Sequence, residues 1–313
     1  MLIVVASLVA LCASGRASAS TQELTLHMDD GVDLAATLYE PSNAPPPAGY
    51  PAIVLFHGIG GKRQDLAAIA QGFDDNFAVL AFDARGHGQS GGLVSIDGPR
   101  EIADTREVYD QLAARPEIDK TRIGAWGISL GGGAVLRSLV QGVPWKAVET
   151  VETWTDLYSA LAPQNLAKSG AIFQFLSSVP ADRLDPSVTA IRDDALTSRN
   201  LPALRDWTAL RSSRKLLKTV TTPVFMFQGR RDFAFDIAQA KAGYALLKGP
   251  KRLYIGDFGH APSTFPGPDI AQVTTLGNAW FARYLGTAAG TIAPISLAPS
   301  PWRGKPRTFA KLP

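Results

Sequence analysis

Five residues constrain this chain more than any others. Gly127-Ile128-Ser129-Leu130-Gly131 reads G-x-S-x-G between an apolar run, Arg122 to Trp126, and a small-residue helical run, Gly132 to Val140. That context puts the serine on a sharp turn from strand into helix, its hydroxyl pushed out at the top of a sheet. Glycines two before and two after relieve crowding around a strained backbone. A serine so placed reads as a nucleophile. The plain alternative is a β-to-α turn with a serine helix cap.

A serine hydroxyl is a poor nucleophile until a base takes its proton. The chain has four histidines, His27, His57, His87 and His260. In the layout implied by the resemblance given below, an acid and then the histidine follow the serine in sequence, and only His260 lies beyond Ser129. It stands in a glycine-flanked loop after the apolar run Arg252 to Gly256. The base needs an orienting carboxylate. Pro223 to Gly229 reads as a buried parallel strand, and Asp232 follows it, so Asp232 is the choice. Asp236 reads rather as a helix-start residue. Asp156 is a third candidate, and Asp257 is too local to align the ring.

The oxyanion of a tetrahedral intermediate needs donors. The backbone N–H of Leu130, directly after the nucleophile, is one. The second is expected from the loop His57-Gly58-Ile59-Gly60-Gly61 after the strand Ala52 to Phe56, at Ile59 or alternatively Gly60. His57 itself reads as structural. Gly86-His87-Gly88-Gln89-Ser90-Gly91 is formally G-x-G-x-x-G, but no helix opens at its last glycine as a dinucleotide site requires. It reads as a tight polar loop under the site, and no cofactor or metal is expected.

These loops together resemble the serine α/β-hydrolases. Phe-His-Gly, Asp83 to Ser90, the Ser129 turn, Gly229 to Asp232 and Gly259-His260 match in order and spacing across roughly residues 24 to 285. Within that superfamily the chain is most similar to the X-Pro dipeptidyl-peptidase and cocaine-esterase-like hydrolases. Met28 to Leu34, Ser90-Gly91-Gly92 and Gly249 to Leu253 carry this narrower likeness. Many of those enzymes place tyrosines where this chain has Leu130 and Ile59. They also carry a C-terminal β jelly-roll, and the tail from Ala293 to Gly304 resembles the linker that leads into one. Peptidase specificity therefore does not transfer with the likeness.

The expected fold is α/β, a mostly parallel eight-stranded sheet with helices on both faces. A hairpin (23–28 and 32–39) precedes strands at 52–56, 77–82, 122–127, 146–151, 223–229 and 252–256. Helices are expected near 63–73, 99–114 and 130–141. Strands alternating with helices imply such a sheet. Residues 20–152 and 219–286 form the core, 287–313 an extended tail. From 153 to 218 the alternation fails, and a helical cap is expected over the serine. Trp154, Leu157, Tyr158, Phe173, Phe175 and Leu176 would line its pocket, and its arginines read as solvated faces.

Residues 1–19 read as a signal peptide, with an apolar run from Leu2 to Ala13 and an A-x-A-like site at Ala17-Ser18-Ala19. No basic residue precedes that run. Cleavage there removes Cys12, the only cysteine, and gives a secreted or periplasmic chain without stable membrane association. A net charge of +3 is too small to argue for nucleic acid. The function these readings imply is hydrolysis of small-molecule carboxylic esters or amides through an acyl-enzyme on Ser129. The alternatives are an X-Pro-type peptidase, a cofactor-free haloperoxidase or acyltransferase on the same three residues, and a binding protein on this scaffold.

Overall fold

The computed structural model describes residues 20–73, 76–286, 288 and 293–312. The leader expected over residues 1–19 lies outside them, as does Cys12. One sheet holds β1 (Ser20–His27), β2 (Asp33–Glu40), β3 (Tyr50–Phe56), β4 (Ala78–Phe82), β5 (Ile118–Ile128), β6 (Val148–Val151), β7 (Val224–Gly229), β8 (Lys251–Gly256), β9 (Ile295–Leu297) and β10 (Arg307–Phe309). Their spatial order is β1-β2-β4-β3-β5-β6-β7-β8-β9-β10. β3 to β9 run parallel, while the β1–β2 hairpin and β10 are antiparallel additions at the two edges.

The strand count is ten where eight were expected. β9 and β10 come from the tail that reads as extended. Each has three residues, too few for an alternation to show, and prolines at 294, 299 and 301 mask them. β9 adds to β8 through the Leu253–Ile295 and Ile255–Leu297 register.

Helices cover both faces, as continuous apolar strands require. β3 shows how. Ala52, Val54 and Phe56 face the core layer shared with α2 (Pro99–Ala113), α3 (Leu130–Val140) and α8 (Ile237–Leu246). Ile53 and Leu55 face the opposite layer with α1 (Ala67–Gly72) and α9 (Ile270–Tyr284). After β3 the chain first adds β4 on one side, then crosses to add β5 on the other. The loops after β3 and β5 therefore leave neighbouring strand ends in a crevice, where open α/β sheets bind ligands.

Between β6 and β7 come α4 (Leu157–Leu161), α5 (Ser169–Ser177), α6 (Pro186–Thr197) and α7 (Leu201–Ala209), with no strand. Their apolar residues pack on one another and, through Trp154, Leu157 and Ala160, onto Leu130 and Phe235 of the core. Two arginines fasten this layer rather than facing water. Arg211 is 3% exposed. It donates to Ser95 O (3.0 Å) and Trp207 O (2.7 Å) and stacks 3.6 Å above the Trp207 ring. Arg214 donates to Thr155 Oγ1 (3.0 Å) and Gln239 Oε1 (2.7 Å).

Candidate active site

Ser129 ends the turn between β5 and α3 with φ 55° and ψ −118°. A positive φ costs a non-glycine residue roughly 1–3 kcal/mol, and the structure around the turn enforces it. A Cβ on Gly127 would stand 2.3 Å from Gly131 O, and one on Gly131 2.3 Å from Phe56 O. Only glycine permits this approach of helix to sheet. The amide of Gly131 donates to His57 O (3.0 Å), tying the turn to the loop after β3.

That loop lies against the serine: a Cβ on Gly58 would sit 3.5 Å from Ser129 Cβ. The amides of Ile59 and Leu130, the two expected oxyanion donors, have no acceptor among the described residues. Both residues line the same cavity as Ser129. Leu130 opens α3, so its N–H is one of the orphan donors of a helix N-terminus and adds to the positive end of the dipole. His57 holds the loop. Its Nδ1 lies 2.7 Å from Gly58 O, and its Nε2 accepts from Ala84 N (2.9 Å). Burial lowers its pKa and keeps it neutral. In the loop after β4, Asp83 accepts from the Arg63 and Gln89 amides and from the Arg63 guanidinium.

His260 follows β8. Its Nδ1 is 2.9 Å from Asp232 Oδ2. A carboxylate only accepts, so Nδ1 carries the proton and Nε2 is left as the base. Nε2 is buried without a hydrogen-bond partner. In hydrolytic sites generally, the contact between a base and its nucleophile commonly tightens only with substrate bound. The rings of Phe175 and Phe235 pack at 5.8 and 5.3 Å from the imidazole, and both line the cavity that holds Ser129.

Asp232 is fixed by four donors. Oδ1 accepts from the amides of Ala234 (2.8 Å) and Phe235 (3.0 Å), and Oδ2 from Gln228 Nε2 (2.9 Å) and His260. The other acids stand elsewhere. Asp156 caps α4 through Ser159 N and Asp236 caps α8 through Ala238 N. Asp257 pairs with Arg231 at 2.8 Å.

Sequence reasoning missed Glu152. It directly follows β6, is 1% exposed and adopts φ 47°. Its Oε2 lies 3.7 Å from His260 Nδ1. Burial, and then the Asp232 charge, push its pKa up to about 9. Glu152, Asp232 and His260 bring ligand atoms within 4.8 Å of one another. A cation there would have to displace the donors that already occupy Asp232, so the set fits a hydrogen-bonded relay better than a metal centre.

The cavity between core and cap holds about 610 Å3 of empty space, part of it open to solvent. Its lining is almost wholly apolar with Ser129 on one wall, the character of a small-molecule pocket. Trp154, Leu157, Phe175 and Leu176 line it as expected. Tyr158 instead lies under the Arg205 guanidinium, and Phe173 is 65% exposed.

Known proteins share this architecture. The chain matches a CocE/NonD family hydrolase from Staphylococcus aureus with a TM-score of 0.71 at 14% identity, covering 94% of this chain and 56% of that one. It matches an acetyl xylan esterase from Paenibacillus sp. R4 with a TM-score of 0.63 at 20% identity, covering 86% and 85%. At those identities the likeness speaks for the fold. Among curated proteins, the uncharacterized protein YcjY of Escherichia coli K12 is 35% identical over 124 residues, 38% of this chain and 40% of YcjY. The quorum-quenching protein AidA of Acinetobacter baumannii is 32% identical over 138 residues, 43% of this chain and 44% of AidA. The chain thus spans about two fifths of the length of these relatives. A family profile described as X-Pro dipeptidyl-peptidase (S15 family) matches residues 30–262. That span takes in both oxyanion-loop residues, the Ser129 turn, Asp232 and His260, and by it the chain belongs to the S15 family, on an α/β-hydrolase fold.

Proposed function

We propose that this chain is a serine hydrolase of carboxylic esters with a neutral, apolar acyl group. Ser129 Oγ attacks the ester carbonyl while His260 Nε2 takes its proton. Asp232 holds the ring through Nδ1–H and stabilises the imidazolium. The oxyanion rests on the Ile59 and Leu130 amides. His260 then protonates the departing alcohol, and water repeats the steps to free the acid.

One observation carries the substrate class: Ser129 opens onto a cavity whose lining contains no carboxylate. Trp154, Leu157, Ile191, Leu204 and Phe235 form its walls, and its one charged lining residue is the cation Arg192. An X-Pro dipeptidyl substrate carries a free ammonium on the acyl side, one proline residue away from the scissile bond. Burying that charge unpaired in this apolar lining costs several kcal/mol. An apolar acyl chain gains about 0.8 kcal/mol per buried CH₂.

The test is a panel of p-nitrophenyl esters from acetate to decanoate beside X-Pro p-nitroanilides. The expected result is rising kcat/KM with acyl length until the cavity fills, and X-Pro turnover lower by about 10³-fold, the kinetic equivalent of about 4 kcal/mol. Comparable X-Pro turnover would reverse the assignment. Product analysis with an alcohol acceptor or peroxide separates hydrolysis from acyl transfer and haloperoxidation. The leader-like residues 1–19 support export, and a mature chain beginning at Ser20 is the N-terminal sequencing result expected from cleavage after Ala19.

A further inference from the structure

Glu152 is a buried acid with no work in the mechanism above. Its backbone is held by the bond from its amide to Phe227 O (2.9 Å). Its positive φ is strain that a glutamate has no intrinsic reason to accept. The side chain is aimed at the His260–Asp232 pair, with Oε2 at 3.7 Å from Nδ1 and Oε1 buried and unpartnered. Gly229 lies against both it and the loop after β8: a Cβ there would fall 2.0 Å from Phe258 O and 2.6 Å from Oε1. Two carboxylates this close inside a protein do not both ionise. Asp232 holds the four donors, and Glu152, buried beside it, keeps a proton.

We propose that Glu152 is a positioning residue for His260: it walls the ring beside Asp232 and takes over the Nδ1–H hydrogen bond when Asp232 cannot accept it. Glu152 need not ionise for this: a neutral carboxyl still accepts through its carbonyl oxygen, and a small side-chain movement closes the remaining gap to Nδ1. No bond is made or broken in this role.

The inference rests on the Ser129–His260 reading, and a covalent probe separates the two. A fluorophosphonate loses fluoride as Ser129 Oγ bonds to phosphorus, with His260 taking the proton. Wild type, Asp232→Asn, Glu152→Gln and the double variant are compared by probe labelling and by p-nitrophenyl butyrate hydrolysis. Asp232→Asn is expected to lose about 10²-fold in limiting rate rather than the ~10⁴-fold seen when such an aspartate is the sole orienter. Adding Glu152→Gln is expected to bring the double variant to that ~10⁴-fold loss, with KM unchanged within threefold. Glu152→Gln alone is expected to cost less than tenfold. Glu152→Ala, which leaves a void beside the ring, is expected to cost more, so the glutamine partly rescues it. If Glu152→Gln changes nothing in the Asp232→Asn background, Glu152 is only a filler and the inference falls. If wild type itself takes no label on Ser129, the hydrolase reading falls instead.

Discussion

Gly131→Ala tests how the turn at Ser129 couples fold to chemistry. The added Cβ would stand 2.3 Å from Phe56 O, 2.5 Å from Phe56 C and 2.6 Å from Phe56 Cβ, where ordinary contact begins at 3.4 Å. Phe56 cannot yield, because β3 is bonded to β4 on one side and β5 on the other. The first turn of α3 must therefore lift by about 1 Å. That breaks the Gly131 N–H bond to His57 O and carries Ser129 and the Leu130 amide away from Ile59. Overpacking of this kind costs about 1–3 kcal/mol, and the lost hydrogen bond adds about 1 kcal/mol. A misplacement near 1 Å at a reacting group costs about 10²-fold in rate. Urea unfolding followed by circular dichroism should show a loss of about 3 kcal/mol, and p-nitrophenyl butyrate hydrolysis a fall in kcat/KM of at least ~10²-fold. Gly170→Ala is the control. It lies in the first turn of α5 with nothing within 4 Å of a Cβ, and should stabilise by about 0.4–1 kcal/mol with unchanged kinetics. An unfolding midpoint and kcat/KM within threefold of wild type for Gly131→Ala would refute the close-approach argument.

Two further outcomes follow from the charges under the cap. Arg211→Ala strips a cation whose charge acts on Asp97 and Glu101 and removes the guanidinium donors to Ser95 O and Trp207 O; breaking a buried charged anchor of this sort costs about 3–5 kcal/mol, read by urea unfolding, and lysine should not rescue the stacked, two-bond geometry. Glu101 has a folded pKa raised to about 7, chiefly by burial, from 4.5. The folded state thus holds that proton more tightly, and its contribution is full below about pH 4.5 and lost as pH rises through 7. The size is about 3 kcal/mol at most. Glu101→Gln should flatten the decline in unfolding free energy between pH 5 and pH 7, and an unaltered slope would show that another group governs it.

Parts of this site were legible in sequence for physical reasons. The glycines around Ser129 are demanded by backbone contact, and such demands survive in the sequence as residue type. His260 and Asp232 follow apolar runs that mark strand ends, which is where a parallel sheet presents side chains to a crevice. The cap was less readable. Phe173 and Phe175 are two apart, about 200° around a helix, so both cannot face one cavity, yet composition alone assigns both to it. Arg211 and Arg214 look like solvated helix residues until tertiary packing supplies carbonyl partners and a Trp face. Glu152 is the clearest miss. A glutamate after a strand reads as a solvent contact, and neither its left-handed backbone nor the glycine space opposite it has a local signature. β9 and β10 were lost because three-residue strands carry no periodicity.

The nucleophile is the claim on which the proposed chemistry stands. Purified Ser129→Ala, folded by circular dichroism, should turn over p-nitrophenyl butyrate on the order of 10⁶-fold more slowly than wild type, leaving only binding and oxyanion catalysis. Turnover within tenfold of wild type would place the reaction somewhere other than this serine.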